Sequence, residues 1–64
     1  MAGEREVIFE FVQIGRTVKV TAVDTTSGIE ASIVGDPAAG EPALKRLALQ
    51  KLTYVLERRG RGGT

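Results

Sequence analysis

Few groups in this chain could do chemistry. It holds no histidine and no cysteine, which leaves carboxylates, lysines, hydroxyls and the single tyrosine, Tyr54, as acids, bases or nucleophiles. The constellation that comes nearest to a site is Glu10, Thr21 and Ser32. In the strand register derived below, these three stand side by side across a sheet, and a carboxylate beside two hydroxyls could activate one of them. The same row is also an ordinary cross-strand polar ladder on a half-wet face. Pairs of that kind are common, so the row is read as structural. A chain of 64 residues offers little material for a substrate pocket of a few hundred Å³. No catalytic residue is assigned, and the chain is not expected to be an enzyme.

The same inventory limits cofactors and cross-links. Without thiolates or imidazoles, a zinc-type site has no ligands, and no disulfide can form. A carboxylate site for a hard cation needs clustered acids, whereas Glu4, Glu6, Glu10, Asp24, Glu30, Asp36, Glu41 and Glu57 are scattered. Neither G-x-x-x-x-G-K nor G-x-G-x-x-G occurs among the glycines. No metal and no cofactor is therefore expected. A domain this small buries only about 60% of its unfolded surface and is marginally stable. With the other staples gone, association with a second chain is the remaining way to add buried surface.

Net charge is +1, but its distribution is uneven. Residues 1–40 carry six acids and three bases, a balance of −3, while residues 41–64 carry two acids and six bases, a balance of +4. Basic residues near a helix C-terminus suit the helix dipole without any further role. The run Arg58-Arg59-Gly60-Arg61-Gly62-Gly63 resembles a short RGG-type tail of the kind that binds RNA, in one copy and with no interleaved aromatic. No apolar run approaches the length of a membrane span. The first residues lack the basic and apolar regions of an export signal, so a cytoplasmic setting is expected.

The elements that position these groups follow from composition and turn chemistry. Residues 7–14, Val-Ile-Phe-Glu-Phe-Val-Gln-Ile, are rich in β-branched and aromatic types and predict a strand. Gly15-Arg16 suits a two-residue type II′ turn with glycine at its first central position. Residues 17–24 alternate at period two and predict the second strand. Asp24 to Gly28 is a turn, opened by the Asp24 side chain and closed by a glycine that tolerates positive φ. Residues 29–34 alternate again, and Gly35-Asp36-Pro37 stops that third strand.

The turn lengths fix a register. It pairs Ile14 with Thr17, Phe11 with Val20 and Phe9 with Ala22. Across the second turn it pairs Asp24 with Ile29, Ala22 with Ala31 and Val20 with Ile33. Both hairpins then place Val7, Phe9, Phe11, Val18, Val20, Ala22, Ile29, Ala31 and Ile33 on one face. The other face carries the polar row together with Ile8, Val12, Ile14, Val23 and Val34, more aliphatic surface than a purely solvated face needs.

Residues 35–42 form a linker of turn formers, and Pro42 suits the first turn of a helix over 43–59. The polar arc of that helix, Arg46, Gln50, Thr53 and Glu57, is narrow. Leu44, Leu47, Ala48, Leu49, Leu52, Tyr54, Val55 and Leu56 spread over most of the rest, wider than the stripe one sheet face covers. Lys51 falls inside the apolar arc, where it either reaches outward between two surfaces or pairs with a carboxylate.

The segments Val7 to Phe11, Val18 to Asp24, Ser32 to Gly35, Ala43 to Arg46 and Lys51 to Leu56 together resemble a family of short, uncharacterised alphaproteobacterial proteins, a domain of unknown function. The resemblance covers nearly the whole chain except its termini and implies a bacterial cytoplasmic setting. It brings no catalytic motif and no site residues with it.

The expected architecture is α+β: a three-stranded antiparallel β-meander followed by one C-terminal helix. It forms a single domain over 1–59 with a flexible tail over 60–64. The expected role is a non-enzymatic protein–protein interaction module that self-associates as a homodimer through the helix flank, the outer sheet face, or both. Leu47, Leu49, Tyr54 and Leu56 are the candidate interface residues. The alternative is a nucleic-acid accessory module using Lys45, Arg46, Arg58, Arg59 and Arg61. No membrane partner is expected.

Overall fold

A computed structural model describes residues 6–62, with side chains as far as Arg59. Three antiparallel strands, β1 (Val7–Ile14), β2 (Thr17–Asp24) and β3 (Glu30–Gly35), form one sheet in the order β1-β2-β3. A single 3-10 turn (Pro37–Ala39) leads into α1 (Glu41–Gly62). The α+β meander-plus-helix architecture is the one the turn chemistry predicts.

The register agrees pair by pair with the expected one. Ile14 faces Thr17, Phe11 faces Val20 and Phe9 faces Ala22. Val20 faces Ile33 and Ala22 faces Ala31. Gly15 and Gly28 both take positive φ, as their turns require, and among the described residues no non-glycine does. In the second turn the buried Asp24 carboxylate accepts from the Ser27 amide at 3.1 Å and from the Ser27 hydroxyl at 2.7 Å. The Asp24 amide donates to the Ile29 carbonyl at 2.9 Å. This one side chain therefore sets the loop length that keeps β3 in phase with β2.

Two boundaries differ from expectation. β3 is shifted by one residue and includes Gly35, which pairs with Val18. The glycine's lack of a side chain lets the strand continue under the helix: a Cβ at Gly35 would lie 2.5 Å from Cδ2 of Leu44, whose side chain would have to shift. The helix is also longer than expected at both ends, beginning at Glu41 and running to Gly62, into the stretch expected as a tail. Residues 63 and 64 lie outside the described residues. At the N-terminal end the Gly40 carbonyl accepts the first helical bond from the Leu44 amide at 3.1 Å. Gly40 has φ 89° and ψ 150°, a region that side chains exclude.

The core consists of Val20, Ala22, Ala31, Leu44, Ala48 and Leu52, all buried. Leu44, Ala48 and Leu52 recur every fourth residue and form the central stripe of α1. Their partners are on β2 and β3, and α1 packs mainly on those two strands. The β1 side chains that share this face, Val7, Phe9 and Phe11, are only half-buried.

Gly35→Ala should therefore destabilise the fold by about 1–3 kcal/mol through overpacking against Leu44. Urea unfolding checks this: the midpoint should fall while the slope stays constant, because the surface exposed on unfolding is unchanged.

Candidate interaction surface

Two side chains orient α1 on the sheet. The Lys51 ammonium donates to the Ser32 main-chain carbonyl at 2.7 Å, so the Lys51 flank overhangs β3. The Lys45 ammonium stands 5.3 Å from the centre of the Phe9 ring, so the Lys45 flank faces β1. Each residue turns the helix by about 100°, which assigns every other side chain to a flank. Leu47, Tyr54 and Arg58 fall on the β3 side with Lys51. Arg58 lies over the Tyr54 ring at 5.5 Å, as that assignment requires. Leu49 and Leu56 fall on the β1 side with Lys45.

The four candidate interface residues therefore do not make one patch. Leu47 and Tyr54 are 49% and 57% exposed on one flank, and Leu49 is 41% exposed on the other. Leu56 is half-buried and packs against the core. The apolar arc is wide because its two margins face opposite ways, a distinction that helical periodicity does not show.

Lys51 resolves differently from either expectation. Its partner is not a carboxylate but a main-chain carbonyl on the open edge of β3. Antiparallel pairs alternate between bonded and non-bonded, and the Asp24–Ile29 bond fixes the phase. Glu30, Ser32 and Val34 then turn their amides and carbonyls off the sheet edge, and Lys51 occupies the middle carbonyl of that row. On β1 the bond from the Thr25 amide to the Glu6 carbonyl, at 3.1 Å, fixes the other phase. Val7, Phe9, Phe11 and Gln13 turn their main-chain groups outward along an eight-residue edge with no proline and no lysine in it.

The polar row on the outer face is assembled as expected. Glu10 pairs with Thr21 and Thr21 with Ser32, and the two hydroxyls share a hydrogen bond of 2.8 Å. Thr21 is buried within that row. Around it, Ile8, Val12, Ile14 and Val34 are exposed. A cleft of about 370 Å³ opens between the tip of the first hairpin and the start of α1. It is lined by Phe11, Gln13, Val18, Pro37, Glu41 and Leu44, whose only polar side chains are an amide and a carboxylate. Among the described residues no group of three or more potential metal ligands occurs, and no helix is long and apolar enough to cross a membrane.

The basic residues do not share a face. Lys45 covers Phe9 and Arg58 covers Tyr54 on opposite flanks. Arg46 and Arg59 are both exposed, with Arg46 on the side away from the sheet and Arg59 past the end of the core stripe. The side chain of Arg61 lies outside the described residues.

Lys51→Met should lower stability by about 1 kcal/mol or less, since an exposed hydrogen bond contributes little. Its larger effect should be on association: with the Ser32 carbonyl uncovered, β3 becomes a second open edge. Sedimentation velocity should show species larger than those of the parent protein at equal concentration.

A family model described as "Domain of unknown function (DUF6898)" matches residues 4–59. No curated protein and no solved structure matches the chain.

Proposed function

We propose, from the premise that this chain belongs to the DUF6898 family, a domain of unknown function, that it serves as a non-enzymatic interaction module that self-associates as a homodimer. The observation that carries this reading is the uncovered apolar margin on the β1 side. Phe9 and Phe11 are only half-buried, and on the helix flank that faces β1 Leu49 is exposed and Leu56 half-buried. Burying such a margin is worth roughly 25 cal/mol per Å² of apolar surface. A chain with no cysteine and no histidine has no internal staple to compensate for leaving it wet. The mixture of a bulky aromatic pair, two leucines and a rim charge at Lys45 also has the make-up of an interface centre with a polar border.

Sedimentation equilibrium over a concentration series tests it. The expected result is a mass of twice 6.8 kDa that changes little with salt. Leu49→Asp should raise the dissociation constant at least tenfold, equivalent to about 1.4 kcal/mol. Tyr54→Asp, on the opposite flank, should leave it within about twofold, since surface changes away from an interface cost at most about 0.5 kcal/mol. A monomer at all concentrations refutes the reading, and a dimer split by Tyr54→Asp but not by Leu49→Asp moves the interface to the β3 side.

A further inference from the structure

We infer that the two copies join through their β1 edges, antiparallel and centred on Phe11, so that the dimer is one continuous six-stranded sheet with both helices on the same face. This rests on the self-association proposed above and specifies its geometry.

The two sheet edges differ in a way that selects β1. β3 is six residues long, and the middle carbonyl of its open row already accepts from Lys51. β1 is eight residues long, and Lys45, the lysine that reaches its outward row of Val7, Phe9, Phe11 and Gln13, lies over the Phe9 ring rather than on a main-chain carbonyl. A long, regular, apolar edge of this kind is a template for another strand. A second β1 meets it on equal terms, because a two-fold axis makes the pairing self-complementary.

The side chains then choose the register. Three alignments overlap most of the strand, with the axis at Phe9, Glu10 or Phe11. At Glu10, the two Glu10 carboxylates stand directly opposite each other, which is unfavourable. At Phe9, Val12 runs past the far end of the second strand, opposite Glu6, and Ile14 runs beyond the described residues. At Phe11, Ile8 pairs with the second copy's Ile14 on the outer face, and both are exposed in the single chain. Glu10 then lies opposite Val12, and residues 8–14 all pair. The odd-numbered residues supply about six new main-chain hydrogen bonds.

Charge on the helix side favours the same axis. With Phe11 at the centre, Phe9 lies opposite the second copy's Gln13. Lys45 stands over Phe9, and Glu41 lines the cleft with Gln13. Each lysine is thereby brought towards the other copy's Glu41, twice by symmetry. With Phe9 at the centre the two lysines would instead crowd over adjoining rings.

The native chain has no cysteine, so single-cysteine variants report the register cleanly. Val12 and Ile8 are 45% and 51% exposed on the outer face, away from both helices, and each tolerates the change. With the axis at Phe11 the two Val12 positions lie on a diagonal about 7–8 Å apart. The two Ile8 positions are then about 20 Å apart along the strands. A thiol cross-linker of about 8 Å, matched to that diagonal, should link most of Val12→Cys into covalent dimer and leave Ile8→Cys unlinked. Sedimentation of the unlinked variants runs in parallel. A dimer in which Ile8→Cys links and Val12→Cys does not places the axis at Phe9 and overturns the inference. A dimer in which neither links overturns the Phe11 axis while leaving self-association standing, since an axis at Glu10 would set both pairs about 13 Å apart along the strands. A monomer removes both.

Discussion

The position of everything else in this molecule depends on how closely α1 can approach the sheet. The approach is closest where side chains are smallest. Ala22 and Ala31 are directly paired across β2 and β3, Gly35 ends the same face, and Ala48 is the middle of the helix stripe; the three alanines are buried. Leu44 fills the space over Gly35, where a single methyl would collide with it. The phenylalanines on β1 stand beside this seat rather than under it. The helix is thus drawn over β2 and β3, and β1 keeps its apolar side chains only half covered. The off-centre helix and the wet margin on β1 are two consequences of one pattern of small and large residues.

That displacement also makes the two edges unequal. A helix set towards β3 brings Lys51 within reach of the Ser32 carbonyl, where a lysine discourages further strand addition. The same displacement takes the opposite flank away from β1, where the long Lys45 side chain reaches across to lie over the Phe9 ring. A three-stranded meander has two edges, and the helix that builds this core places a lysine on the middle carbonyl of one of them. The proposed assembly follows from that inequality, because a sheet that can grow from one edge only stops at two copies. In the proposed dimer the Lys51 contact on β3 would limit the assembly as the apolar margin would drive it.

Much of this was legible in the sequence, because turn chemistry and period-two alternation act locally. Gly15-Arg16 and the Asp24–Gly28 loop fix strand phase by their lengths, and the resulting register matches the observed pairs throughout. What was not legible depends on tertiary distance. Gly35 looks like a strand stop, yet it belongs to β3 because Leu44 needs its missing side chain. Lys51 looks either like a side chain reaching outward between two surfaces or like half of an ion pair, but main-chain carbonyls at a sheet edge leave no mark in a residue string. Leu47, Leu49, Tyr54 and Leu56 look like one broad arc. Periodicity gives angles around a helix, but not which strand each flank meets, and the structure divides them into two pairs. The outer polar row was visible in full, since Glu10, Thr21 and Ser32 needed only the register to meet.

The outer face shows why edge pairing suits this chain better than face-to-face stacking. A sandwich interface would bury the Thr21–Ser32 hydroxyl pair together with Glu10, Lys19 and Glu30 against a second sheet. Burying charges without full compensation costs more than the neighbouring Ile8, Val12 and Val34 would return. The proposed edge addition would leave those charges in water, pair the outward main-chain groups of β1, and set apolar side chains beside each other on both faces. For a domain near the lower size limit of independent stability, it adds buried area where the helix leaves it missing.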